Sequence, residues 1–361
     1  MPETLLTDRP VLAAQPGIEI DGRPDEMVSA LLLAVSLRET EGGLASVEAR
    51  FAASAVEDTR GLGLSLAESG VLDLGKELAL AFGPENDRTE LFRGRIGGLE
   101  LQIEEGDQPH LLIHAEDALM RERHRRFSRL HPAGALRNIL RAVAAETGLT
   151  PVIRGLDATV DAQVQLNESN LAFLRRLLAD HDGDLQVVGG ELHMLPRRDI
   201  RRGTVTLRVG GQLHRLRVMA DLADQVGNVT LSAFEVARGR PVTVTSGGGA
   251  ALGPGDGRRA ADILSALGER RTEHVGGRRV ADRTEAQALA DATYARTSRR
   301  FVTLEATVAG NPAIRVGTHL RIENAGTRFS NTYYVTSALH RYDTADGYVT
   351  ELTAESAYLG D

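Results

Sequence analysis

The sequence contains no cysteine, which excludes disulfide staples, thiolate metal sites and any Cys–His nucleophile. It also contains no tryptophan, and aromatics make up only 4% of the residues. Sugar-binding modules often present exposed aromatic faces, so this scarcity counts against carbohydrate recognition. Lys76 is the sole lysine, and arginine supplies the rest of the basic set. With a formal net charge of −8 and no domain-sized basic stretch, nucleic acid is not expected as a specific partner, because phosphate binding needs clustered positive charge. The longest strongly apolar stretch, Ala30–Val35, falls far short of the ~20 residues that span a bilayer, so no membrane insertion is expected. Met1–Arg9 lacks a basic segment leading into an apolar run. No signal peptide is therefore expected, and synthesis is placed in the cytoplasm.

Signatures of chemistry are missing as well. The ten histidines form no HExxH pair; His110 and His114 share a strand face without close approach. The glycines at 247–249 and 253–257 match neither phosphate-cradling motif, and no G-x-S-x-G elbow occurs. The expectation is no enzyme, no catalytic residue, no cofactor and no metal. One pattern comes near a metal site: Asp180, Asp182 and Asp184 have the 1,3,5 spacing of a calcium loop, with Glu191 at position 12. Leu185 stands where that loop needs glycine, so a helix end carrying solvated carboxylates is the preferred reading. The run Arg121–Arg129 also holds Glu122, His124 and Phe127 and reads as a solvated face. Glu104-Glu105 reads as solvated charge beside a turn. A pair of glycosidase acids needs only spatial proximity, so sequence alone leaves a cell-wall hydrolase open.

What is present is abundant glycine, 38 of 361 residues, and many short alternating segments, the usual marks of β-rich chains. Strands are predicted at 18–20, 31–39, 45–52, 77–82, 91–103 and 110–115, with 59–69 ambiguous between strand and loop. The period then changes. Pro132 suits a first helical turn, Leu136, Ile139, Leu140, Val143 and Ala144 recur at helical spacing, and Gly148 suits the C′ position. A second helix is predicted over 168–182, capped by Asn167 or Ser169 and ended by Gly183. A hairpin follows over 185–195. Strands return at 204–209, 212–220, 228–236 and 242–245, then a glycine-rich connector over 246–257 and a helix over 284–297. Further strands are predicted at 301–308, 318–323, 333–339 and 348–354. The organisation is β, then α/β, then β with a linker-rich insertion.

Several of these segments carry an ordered set of motifs. Gly310-Asn311-Pro312, Val316-Gly317, Asn331–Val335 with Tyr334 and Val335, His340, and Gly347–Thr350 with Tyr348 and Thr350 come last. Before them stand Phe92, Gly94 and Ile96, then Asp117, then Phe173-Leu174 followed by Gly183. In this order they resemble the late control protein D family, the baseplate hub of contractile phage tails and extracellular contractile injection systems, similar in fold to the hub half of VgrG spike proteins. Asn170 stands where the family more often has Asp. The resemblance implies a β-rich α+β fold with two tube-type β-barrel domains, an α/β middle domain and a linker-rich insertion. The implied division is residues 1–117 for the first barrel, 118–202 for the middle domain, 203–236 plus 296–361 for the second barrel, and 237–295 for the insertion. It further implies a homotrimer acting as a tube–spike symmetry adaptor within a phage tail-like particle. Its partners would be an inner tube protein above, a spike protein below and baseplate wedge proteins outside. The chain stops soon after its last strand, so the spike is expected as a separate polypeptide. A carbohydrate- or receptor-binding tail module is the alternative, ahead of the hydrolase.

Overall fold

The computed structural model describes residues 16–53, 55–58, 61–84, 87–247 and 252–361. The chain start, part of the ambiguous 59–69 segment and the middle of the glycine-rich connector lie outside these residues.

Alternation sets most of the strands. In Ser46–Ala52 the odd positions Val47, Ala49 and Phe51 are buried, and in His110–Asp117 Leu111, Ile113 and Ala115 are. Both follow from the two-residue period of a strand with one face on a core. Eleven strands follow one another in a single hydrogen-bonded path. From one end these are Leu213–Ala220, Val302–Ala309, Gly347–Ser356 and Thr332–Asp343, then Leu32–Thr40, Ser46–Ala52, His110–Asp117, Thr89–Gln102, Glu77–Phe82, Gly17–Ile20 and Arg23–Pro24. A branch at Thr332–Asp343 adds His319–Glu323, which pairs in parallel with Thr204–Arg208.

The N-terminal and C-terminal β portions therefore meet at one seam. Leu32–Thr40 runs antiparallel to Thr332–Asp343, in register from Ser337 opposite Thr40 to Asp343 opposite Ala34. Each side has its own apolar core. Phe51, Leu78, Leu80, Phe82 and Ile113 fill the first, and Phe301, Leu304, Leu320, Tyr333 and Val335 the second. Tyr348 comes from the C-terminal portion yet packs in the first core, so the seam is bridged by side chains as well as by backbone.

The middle segment forms a separate layer. Helix Leu136–Ala144 buries Leu136, Ile139, Leu140 and Val143, the i, i+3, i+4, i+7 stripe. Each such side chain contributes roughly 1.5–3 kcal/mol by leaving water. Helix Asn170–Asp180 packs beside it, over the sheet of Thr150–Ile153, Glu191–Pro196 and Gly183–Val188.

Local details depart from the sequence expectations. Pro132 does not open the first helix, which begins four residues later with Ala135 as N-cap. The second helix is capped by Ser169, whose hydroxyl accepts from the Ala172 N–H at 3.2 Å. Asn167 takes a left-handed conformation, with φ of 46°. Past the helix the left-handed residue is Asp182 (φ 51°), while Gly183 already belongs to the next strand. Asn228–Glu235, grouped by sequence with the C-terminal β portion, pairs instead with Arg240–Ser246 and, in parallel, with Thr272–Val280. Helix Arg283–Arg299, capped by Asp282, covers this small sheet through Ala286, Leu289 and Ala290. The insertion thus has a core of its own.

Candidate functional site

The strongest concentration of buried charge lies where the two β portions meet the α/β layer. It starts from the loop that leaves the seam strand, Glu41-Gly42-Gly43-Leu44. Three successive residues here are left-handed, with φ of 84°, 72° and 68° from Gly42 to Leu44. Glycine is required at the second of them. A Cβ on Gly43 would lie 2.7 Å from Leu185 and 2.9 Å from Leu119, both in the α/β core. The Gly42 N–H donates to Asp184 at 2.6 Å, and Arg175 donates to the Gly42 carbonyl at 2.7 Å and the Gly43 carbonyl at 2.9 Å. Asp117 closes the same turn. It accepts from the Ala45 N–H at 2.7 Å and caps the following 3-10 turn through the Leu119 N–H at 2.9 Å.

Two arginines lie at the centre. Arg197, only 7% exposed, pairs through Nε with Glu41 at 2.5 Å, through Nη1 with Glu355, and stacks over the Tyr334 ring at 4.2 Å. Arg299, 6% exposed, forms a fork with Asp182 at 2.7 and 2.5 Å and reaches Glu355 at 3.4 Å. These groups come from the seam loop, the middle layer, the insertion helix and the C-terminal strand Gly347–Ser356. They border an open cleft of about 450 Å³. A second buried pair fixes the seam itself: Glu39 holds Arg315, whose Nη2 also donates to the Leu91 carbonyl at 2.9 Å. Arginine suits such positions because its planar fork meets carboxylates bidentately. Burial would raise the Glu39 carboxyl, but Arg315 outweighs it and holds the group below its usual range. Burial pushes Asp117 up to about 6 and Asp184 upward as well.

The motif residues named from sequence fall into four packing knots. In the first, His340 is fully buried, with Nδ1 2.7 Å from the Tyr348 hydroxyl and 3.3 Å from that of Thr350. Burial holds His340 down to about 4, so it is neutral at physiological pH. Gly310 lies flat against Tyr348, and a Cβ there would come within 2.1 Å of the ring. Asn311 donates its N–H to the Thr350 hydroxyl, and its side chain accepts from Ala313 across a turn with Pro312 at its second position. In the second knot, Gly94 pairs with Asp117 across two strands, and its Cβ would lie 2.2 Å from the Glu116 carbonyl and 2.4 Å from Phe92. Ile96 is buried beside them. In the third, Phe173 stacks on His131 at 4.8 Å and Leu174 packs with it, while a Cβ on Gly183 would meet Leu178 at 2.8 Å. In the fourth, the Gly317 N–H donates to the Val335 carbonyl and the Val335 N–H to that of Thr318. Tyr334 belongs to the charged junction.

The calcium-like spacing disperses: Asp180 pairs with Arg278, Asp182 with Arg299, Asp184 with Gly42 and Gln186, and Glu191 with His193. Among the described residues no three His, Asp or Glu side chains are placed to hold a metal ion. The arginine run is engaged mostly within the fold. Arg123 meets Glu116, Arg129 meets Glu146 and Asn170, and Arg125 and Arg129 lie over Phe127. Sequence reading missed Glu39, Glu41, Gly43, Arg197, Arg299, Arg315 and Glu355. The one local signal is the Gly42-Gly43 pair between the predicted strands 31–39 and 45–52.

The architecture recurs in solved structures. A 43 kDa tail protein of prophage MuSo2 from Shewanella oneidensis is similar over 94% of this chain and 97% of its own, with TM-score 0.69 and 12% identity. A tail protein from Neisseria meningitidis is similar over 95% and 99%, with TM-score 0.66 and 11% identity. An E. coli component of the type VI secretion system, itself described as similar to bacteriophage T4 tail proteins, matches over 91% and 75%, with TM-score 0.54 and 13% identity. No curated protein gives a significant sequence match. The fold is thus that of these phage tail proteins, β-rich α+β, as the motif resemblance implied. The Alg8 N-terminal domain family matches residues 57–344, most of the chain, and the protein belongs to that family.

Proposed function

We propose that this chain is the structural baseplate hub of a contractile injection system or phage tail, a trimeric adaptor between a sixfold inner tube and a threefold spike. The carrying observation is the seam: two β portions, each with its own core, stand side by side in one continuous sheet. Three such chains would offer six β portions to the tube and three identical faces to the spike. Ring contacts of this kind are heterologous and close on themselves. The proposed division keeps residues 1–117 and 118–202 as first β portion and middle domain. The second β portion comprises 203–227 and 300–361, with the small sheet and its helix between them. The buried ion pairs and packing knots are then devices that hold the two β portions at a fixed angle.

The fold shared with tail proteins and with a type VI secretion component supports this reading, as does charge committed to internal pairs. Under it, inner tube protein lies above, a spike protein below and wedge proteins outside, and the work is mechanical. Co-expression with the spike protein of the same particle, followed by native mass spectrometry, tests it. Three copies of each chain in one complex is the expected result. A stable monomer that ignores the spike protein overturns the proposal and directs attention to receptor binding and cell-wall hydrolysis.

A further inference from the structure

The two β portions are built alike. In the first, Leu32–Thr40, Ser46–Ala52, His110–Asp117, Thr89–Gln102 and Glu77–Phe82 pair in that antiparallel order. In the second, Leu213–Ala220, Val302–Ala309, Gly347–Ser356, Thr332–Asp343 and His319–Glu323 do the same. Their irregularities coincide. The first strand is bulged after Leu32, opposite Phe51, and after Leu213, opposite Val308. The fourth is bulged after Ile96, opposite Ala115, and after Val335, opposite Ala354. There the Ile96 carbonyl accepts from Gly75 and its N–H donates to Lys76, just as Val335 meets Gly317 and Thr318. These matched bulges and bonds align the two portions residue by residue.

The seam joins the fourth strand of the second portion to the first strand of the first. One edge of each kind is left over. Beyond its bulge, Thr89–Gln102 has no strand on its outer side among the described residues, and Leu213–Ala220 ends the hydrogen-bonded path. Carried across by the alignment, the seam register sets Leu99 opposite Ala220, Leu101 opposite Val218 and Ile103 opposite Leu216. Leu99, Leu101 and Ile103 are an uncovered apolar row, exposed at 38, 44 and 64%, and Leu216 and Val218 border the second core. On the other face the register sets Gln102 opposite Arg217 and Glu104 opposite Arg215. The charges are complementary there: Glu100, Glu104, Glu105 and Asp107 flank the first edge, His214, Arg215 and Arg217 the second. A slip of one residue would turn the apolar row against the arginines.

We propose that residues 98–104 of one chain pair antiparallel with residues 215–221 of a second copy in this register, repeating the internal seam between molecules. Each copy carries one edge of each kind, so the contact is heterologous and runs head to tail. The inference deepens the hub reading and rests on it for closure at three copies.

The absence of cysteine makes the register directly testable. Full-length Gln102→Cys and full-length Arg217→Cys, carrying tags of different mass, are co-expressed and mildly oxidised. Their counterparts in the seam, Arg341 and Ser36, lie between hydrogen-bonded pairs, the close spacing that a disulfide spans. A mixed disulfide dimer is expected. Glu100→Cys with Arg215→Cys should not link, because the register separates them by four residues, about 13 Å. No link between 102 and 217, or equal linking of 100 and 215, overturns the pairing. Leu101→Arg, at an exposed position, should leave thermal melting unchanged and weaken self-association at least about tenfold in sedimentation; unchanged association overturns the pairing as well. A three-copy complex with the spike protein but no 102–217 link strikes the pairing and leaves the hub reading. The link without any spike complex upholds the pairing and strikes the hub reading.

Discussion

At the scale of single residues, two glycines do what no other residue type can in this packing. Gly310 and Gly94 have no left-handed backbone requirement. Their constraint is space, because a methyl group would enter the Tyr348 ring in one case and the Glu116 carbonyl in the other. Overpacking of this kind costs about 1–3 kcal/mol. Gly310→Ala and Gly94→Ala are expected to lower the unfolding free energy measured by chemical denaturation by that amount, with Gly134→Ala, which meets open space, as the unaffected control. Asp117 supplies a second residue-level test. Folded, it keeps its proton up to about pH 6, whereas its ordinary value is 3.8. Between those values the folded state binds more protons than the unfolded one, so stability falls as pH rises through the window. A shift of that size is worth about 3 kcal/mol. Asp117→Asn should remove this contribution. The stability difference between wild type and variant, measured at about pH 4 and about pH 7, is expected to change by an amount of that order. A constant difference would show that Asp117 titrates normally.

At the scale of elements, the strand Thr332–Asp343 carries the most. It pairs with Gly347–Ser356 on one side, with Leu32–Thr40 on the other and with His319–Glu323 at its start. A proline in such a central strand removes a ladder donor and has no edge to hide in. Val335→Pro is expected to give an insoluble chain, while Val335→Ala keeps the N–H that reaches Thr318 and should remain folded by circular dichroism. Soluble, native-like Val335→Pro would remove this strand from its central role. This element was legible in the sequence because aromatic and β-branched residues crowd its first half, although a bulge between Val335 and Ser337 breaks the alternation. Helix Glu26–Leu31 was not, since it is six residues long and buries only Val28, too little for a helical period to show. Thr272–Val280 was missed because its residues are mostly exposed and polar, and only pairing with Asn228–Glu235 makes it a strand. The charged junction was invisible for a different reason: Glu39 and Arg315 are 276 residues apart, and Arg197 and Glu355 are 158 apart. Such partners meet through the fold, and no local pattern marks them.

At the scale of the whole molecule, the seam makes the two β portions one folding unit despite their separate cores. A chain cut after residue 203 would leave the strand Leu32–Thr40 with an unpaired edge and Glu39 without Arg315. Exposed edges of this kind recruit other strands. The fragment 1–203 is therefore expected to aggregate or to remain partly unfolded by size-exclusion chromatography and circular dichroism. Adding fragment 204–361 during refolding should restore a soluble pair. A monomeric, cooperatively melting 1–203 would show instead that the N-terminal portion stands alone.

The seam also sets a timetable for synthesis. Its two strands lie about 300 residues apart in the chain. A ribosome adding ~5–20 residues per second takes roughly 15–60 s to deliver the second strand after the first has emerged. Throughout that interval Leu32–Thr40 waits with one ladder unformed, and the first core lacks Tyr348. Pairings this distant in sequence form slowly. A nascent chain is thus exposed to other nascent chains on the same message, and whatever shields that edge during translation determines the yield of folded protein.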